Sequence, residues 1–249
     1  MKTAQDFILE IPVLKNSDQI TKARQILRDG RFREVYIVDG KKILLGYIDL
    51  TDGLRVTATK SNVTVEGFVK DAPMVNPGDS VEQVAKTMKR FHTDSAAVVD
   101  SAKHMRGGVL LSELFPVIIS KHELHGTVAS CMNRKVIAAN PEDELQKIHS
   151  LIVESGFTAF PVIKKKRLVG IISRRDLIST KRVRPAMAQQ AHASIWDVMM
   201  RQVVTISPEE SVSHAAELLV KYDVSRLPVL DGQILVGIID RHDILAALA

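Results

Sequence analysis

The stretch VGIISRRDLI, residues 169–178, returns near the end of the chain as VGIIDRHDIL, residues 236–245. Gly170 and Gly237 are separated by the same interval as Pro141 and Pro208, so the repeated unit is far longer than the phrase itself. NPGDSV (76–81) matches NPEDEL (140–145) and SPEESV (207–212), and a fainter NSDQI begins at Asn16. The chain reads as four copies of one unit.

The last copy shows its content most clearly. VVTI (203–206) is a short β-branched run and predicts a strand. Ser207-Pro208-Glu209-Glu210 predicts a helix start, with Ser as N-cap, Pro at the first helical position and acid near the positive end. Asn140-Pro141-Glu142-Asp143 and Asn76-Pro77-Gly78-Asp79 follow the same plan, and Asn16 with Gln19 keeps the cap. Val212, Ala215, Ala216 and Leu219 then fall on one helical stripe. RLPVL (226–230) and ILVGII (234–239) flank Asp231-Gly232, a hairpin turn signal, and a second helix starts near Asp240. Each copy is therefore β-α-β-β-α, an α/β (α+β) unit. The expected limits are 1–60, 61–122, 123–182 and 183–249.

A unit of about 60 residues exposes too much apolar sheet to stand alone, so pairing of copies 1 with 2 and 3 with 4 is expected. Ile118–Gly126 is the candidate boundary between pairs, and KRVRPAMAQQAHAS (181–194), with Pro185 in it, is a connector between copies 3 and 4.

Composition is that of a globular chain: 249 residues, 45% hydrophobic, 25% charged. Thirty-four Lys and Arg against 29 Asp and Glu leave a formal charge of only +5. The cations form short clusters, Lys164-Lys165-Lys166-Arg167 and Lys181-Arg182, and not a basic tail, which argues against nucleic acid as the partner. The single cysteine, Cys131, excludes an internal disulfide, and it reads as a small packed hydrophobe. The eight histidines show no metal-ligand spacing; His242 reads as a solvent-side helix residue and Trp196 as an anchor at a module edge. MKTAQDFILE has no long apolar core and no run of about eighteen apolar residues follows, so a soluble cytoplasmic protein without a membrane partner is expected. No P-loop, zinc motif or nucleophile elbow is present, and a non-enzyme is expected.

The element order, the lead-in Ile195-Trp196-Asp197-Val198-Met199, the LPV strand and the ending Gly-h-h-[Ser/Thr/Asp]-x-x-Asp (h, hydrophobic) resemble the CBS domain, named after cystathionine β-synthase. The resemblance covers essentially the whole chain, is strongest in copies 3 and 4 and weakest in copy 1. Two tandem pairs resemble two Bateman modules, similar to the gamma subunit of AMP-activated protein kinase and stand-alone prokaryotic CBS proteins. It implies energy sensing by regulatory binding of AMP, ADP or ATP, with S-adenosylmethionine or NAD as further candidates. No other cofactor is required. It also implies a homodimer through the modules and a regulated protein partner that the sequence does not identify; the alternatives are a ligand-free CBS scaffold mediating homodimerisation or partner binding, or a nucleic-acid-associated regulator.

Ser173-Arg174-Arg175-Asp176 has the form of a capping box, which needs no ligand. A hydroxyl at a helix start is equally a seat for phosphate, and an Asp one turn in can accept from both ribose hydroxyls. The corresponding pairs are Asp49 and Asp52 in copy 1, Leu110 and Glu113 in copy 2, and Asp240 and Asp243 in copy 4. An anionic Asp at the first position repels phosphate by an energy on the order of a few kcal/mol. Copy 3 is thus the expected phosphate site. The resemblance assigns to it Ser173, Arg174 and Asp176, with Val203, Val204, Ser225, Arg226 and Pro228 from copy 4. By itself, Arg226 could equally be a surface residue at a strand start. The mirror cleft would join Asp240 and Asp243 to Lys135, Val136, Thr158 and Ala159, and a phosphate there would need a metal ion or a lysine to offset Asp240.

Overall fold

The computed structural model describes residues 2–28, 30–56, 61–178, 183 and 193–247. The chain divides into unit 1, Met1–Ile118, and unit 2, Ile119–Ala249. The predicted connector's Lys181, Arg182 and Pro185, and the expected limits at residues 60 and 182, lie outside the described residues.

Unit 1 holds β1 (Val13–Lys15), α1 (Ile20–Arg28), β2 (Glu34–Val38), β3 (Leu44–Asp49) and α2 (Leu50–Arg55). The same order recurs as β4 (Met74–Val75), α3 (Val81–Phe91), β5 (Ser95–Val99), β6 (Met105–Leu110) and α4 (Leu111–Ile119). Each half makes a three-stranded sheet in which the first strand pairs parallel with the second and the second antiparallel with the third. Both middle strands are buried at every position, and Tyr36, Ile37, Ala97 and Val98 have no exposed surface.

Unit 2 repeats the plan with α5 (Val128–Cys131), α6 (Leu145–Ser155), β7 (Ala159–Lys164), β8 (Arg167–Ser173) and α7 (Arg174–Ile178). Copy 4 supplies α8 (Ile195–Val198), α9 (Val212–Lys221), β9 (Arg226–Asp231), β10 (Ile234–Asp240) and α10 (Arg241–Ala247). The predicted stripe of α9 is buried, with Val212, Ala215 and Leu219 fully so. The β9–β10 hairpin turns at Gly232, whose φ of +59° suits glycine. All four hairpins carry a register shift just after the turn, a shared β-bulge that leaves Leu45, Arg106, Val169 and Val236 of the second strand without a partner position.

Two expectations are corrected. VVTI is not a strand: only Ile206 pairs, in an isolated parallel bridge to Val229, and Ala139 does the same with Val162 in copy 3. Nor does the helix begin at Ser207-Pro208. Asn76 to Asp79 and Asn140 to Asp143 are turns closed by the fourth N–H on the first carbonyl, with the Asp carboxylate accepting the first N–H at 2.8 and 2.9 Å. The helix caps come one turn later, at Ser80 with Gln83 and at Ser211. The turn carbonyls have a different task. Pro77, Pro141 and Pro208 accept N–H groups from Gln5, Trp196 and Ala129, each in the short helical lead-in of the other copy of its pair.

That exchange decides why VGII recurs. The segment after each lead-in pairs with the last strand of the partner copy, Asn133 with Ile238 and Met200 with Ile171. A Cβ on Gly170 would stand 2.8 Å from the Met200 carbonyl oxygen and 2.7 Å from Met199 Sδ. One on Gly237 would stand 2.5 Å from Met132 Sδ. Glycine is the residue that lets the partner's backbone approach.

Candidate functional site

Unit 2 is built about a pseudo-twofold relation, and the predicted ligand residues occupy equivalent places in its two copies. Ser173 ends β8 and Asp240 ends β10. Across their hairpins, Ala159 is the partner of Ser173 and Arg226 is the partner of Asp240. Arg226 and Ala159 therefore sit beside the motif of their own copy. Thr158 joins its own copy too: its carbonyl accepts the Arg174 N–H at 3.0 Å.

Val203 and Val204 are half-buried on the segment that leaves Met200, bridged to copy 3, and reaches Ile206, bridged to copy 4. Lys135 (exposed) and Val136 (half-buried) make the mirror crossing from Asn133 to Ala139. These crossings bring residues of one copy onto the other's hairpin. Ser225 and Arg226 are half-buried at the start of β9, whereas Pro228 is buried in the strand and its carbonyl accepts from Ile206.

The two motifs differ in chemistry. In copy 3, Asp176 Oδ2 accepts the Ser173 N–H at 2.9 Å and the Ser173 hydroxyl at 2.7 Å. The reach-back half of a capping box is thus present, and the hydroxyl is turned to the carboxylate. In copy 4, Asp240 Oδ1 accepts from the N–H groups of His242 and Asp243 at 2.9 and 3.1 Å, while Asp243 Oδ2 accepts the Asp240 N–H at 2.9 Å. Burial, and then the Asp240 charge, push the Asp243 carboxyl up to about 7. A second anion in this cleft would meet the same repulsion.

Three more residues of unit 2 have settings that bear on the site. Cys131 lies half-buried near that pair; burial raises its thiol pKa and the Asp243 charge raises it further. His242, expected on the solvent side of its helix, is half-buried, with its Nδ1 out of contact with solvent. Trp196 is 41% exposed, with the Arg201 guanidinium 4.3 Å from its ring centroid, and borders a hollow of about 360 Å³ lined by Pro141, Glu142, Lys164 and Ser194. Among the described residues no group of three His, Cys, Asp or Glu is placed to hold a metal ion, and no helix is long and apolar enough to cross a membrane.

The CBS-domain family profile matches residues 65–126, 128–182 and 195–249. The chain belongs to the CBS-domain family. Residues before 65 lie outside those matches, yet the strand order and hairpin bulge of β1–β3 are those of β4–β6. Protein MJ1225 of Methanocaldococcus jannaschii, whose crystal structure presents it as a proposed archaeal homologue of γ-AMPK, superposes over all of both chains with a TM-score of 0.84 at 20% identity. In sequence it is 24% identical over 182 residues, 68% of this chain and 64% of its own. An inosine-5'-monophosphate dehydrogenase of Korarchaeum cryptofilum is 30% identical over 112 residues, 45% of this chain and 22% of that protein. In sequence the match thus spans less than two thirds of each of these relatives' length. A CBS protein of half this extent, CBSX2, has been solved in complex with AMP (26% identity, TM-score 0.45, 49% of this chain).

Proposed function

We propose that the protein is a regulatory, non-catalytic sensor that binds an adenosine-containing ligand, AMP, ADP or ATP first among them, in unit 2. Ser173 and Asp176 hold the ribose and phosphate side, with a cation from Arg174 beside them and a second contributed across the pair by Arg226 of copy 4, and Val203 and Val204 form the apolar wall for the base. The observation that carries this reading is the difference between the two motifs of one pseudo-symmetric unit. Copy 3 presents a hydroxyl and one half-buried carboxylate, whereas copy 4 presents two mutually repelling carboxylates. Phosphate is therefore steered to copy 3 and excluded from copy 4, where Lys135, Val136, Thr158 and Ala159 would line a site for an uncharged nucleoside. S-adenosylmethionine and NAD remain in the ligand panel. The same reading makes the protein a cytoplasmic homodimer that acts on a protein partner through its modules, and sets the repeats at 1–60, 61–122, 123–182 and 183–249.

The test is thermal unfolding with the panel. At ligand about 100-fold above Kd, linkage supplies roughly 2.7 kcal/mol, a melting shift of several degrees. Asp176→Ala should abolish most of it. No shift with any ligand overturns the sensor reading, and an equal shift in the variant overturns the site.

A further inference from the structure

Copies 1 and 4 end in the same motif, Asp49-x-x-Asp52 and Asp240-x-x-Asp243, with the same backbone bonds. Asp52 Oδ2 accepts the Asp49 N–H at 2.9 Å, and Asp49 Oδ1 accepts from Thr51 and Asp52 at 2.7 and 3.2 Å, as Asp240 does from His242 and Asp243. The difference comes from the partner copy's lead-in. Lys70 exchanges both backbone hydrogen bonds with Tyr47, two residues before Asp49, at 2.9 Å each. Asn133 makes the same exchange with Ile238, two residues before Asp240, at 2.8 and 3.0 Å.

From that position the Lys70 ammonium lies 2.7 Å from Asp52 Oδ2 and 3.0 Å from Asp49 Oδ2, and 5.0 Å from the Tyr47 ring centroid. Asp52 is 2% exposed, and its Oδ1 is 3.5 Å from Arg55. Burial works against the charge on Lys70, and the Asp49 and Asp52 carboxylates more than offset it, holding its pKa above the ordinary range. Asn133 is too short for this; its Oδ1 accepts the Lys135 N–H at 2.9 Å.

We propose that Lys70 is a tethered occupant of the copy-1 cleft, engaging the carboxylates that the adenosine reading assigns to sugar hydroxyls, and that the residue at this lead-in position selects which Asp-x-x-Asp cleft a nucleoside can enter. Asp52 Oδ2 already accepts two donors, so a ribose hydroxyl can be held there only after an ion pair is broken. Among the described residues no lysine is ion-paired with Asp240 or Asp243, and Lys135, which would line that cleft, is exposed. In its ligand this inference rests on the adenosine reading; in its electrostatics it does not.

Two measurements on the full chain separate the two. The first is adenosine calorimetry on the wild type and on Lys70→Met, with Lys70→Gln used if the Met variant does not melt cooperatively. The variant should bind one adenosine per chain more than the wild type; an equal number overturns the occupancy. A silent wild type with a gained site in the variant overturns the unit-2 reading and supports this one. The second is carboxyl NMR titration of Asn133→Lys, with no ligand present. The transplanted lysine should lower the Asp243 midpoint by at least one pH unit, and an unchanged midpoint overturns the equivalence of the two positions.

Discussion

Arg226 and Asp240 face each other across the copy-4 hairpin, at the first position of β9 and the last of β10. Ala159 and Ser173 hold the same two places in copy 3. A cation opposite an anion in one repeat thus replaces two small neutral side chains in the other. The phosphate preference of the two clefts should follow that exchange.

Asp240→Ser should therefore raise AMP affinity in unit 2, or raise AMP bound per chain from one to two. Serine and aspartate cap helices almost equally, so stability should move by only a few tenths of a kcal/mol. Adenosine, lacking the phosphate, should respond little. Calorimetry with both ligands decides it, and unchanged AMP binding would leave Asp240 as a helix cap alone.

Arg226→Ala should weaken AMP more than adenosine, by about 1.5–3 kcal/mol, the range for a hydrogen bond to a charged group. Parallel losses for the two ligands would make Arg226 a partner of Asp240 and not a reader of phosphate.

Protonation of Asp243 gives a pH signature of the opposite sense to most carboxylates. Its pKa is near 7 in the fold and near 3.8 when unfolded, so between these values the folded state binds more protons. Its contribution is complete below about pH 4 and is lost as pH rises toward 7. The group keeps partial contact with water, so the loss is on the order of 1–3 kcal/mol. Urea unfolding across that window should show a slope that Asp243→Asn removes; the same slope in both proteins would contradict the assignment.

Gly170→Ala should destabilise unit 2 by about 1–3 kcal/mol, because the added methyl meets the Met200 carbonyl and not only a flexible side chain. A melting temperature within one degree of the wild type would show that the lead-in yields without cost.

Repetition made the fold legible. The spacing of Gly170 and Gly237 predicted the unit, the Val212–Leu219 stripe the buried helix face, and Asp231-Gly232 the hairpin. Local signals failed where a distant segment intervened. Ser207-Pro208-Glu209-Glu210 looks like a helix start, but its carbonyls are needed by the α5 lead-in. VVTI has strand propensity, but it crosses between two hairpins and finds a ladder partner only at Ile206. Of the candidate site, the unequal motif residues could be read directly. The placement of Cys131 near Asp243, and of Lys70 on Asp49 and Asp52, could not, since neither is close in sequence to its partner. A lysine just beyond a lead-in, in a pair that also holds an Asp-x-x-Asp ending, was the available clue.

The exchanged lead-ins set the order in which the chain can be completed. Asn133 bonds to Ile238, and Val128 to the Glu210 carbonyl. Copy 3 therefore cannot complete its lead-in until the last strand of copy 4 has left the ribosome, roughly a hundred residues after Asn133. The repeat is the unit of duplication, whereas the pair is the unit of folding. A chain truncated before Ile234 should leave the Asn133 N–H open to hydrogen exchange, and a chain that includes β10 should protect it.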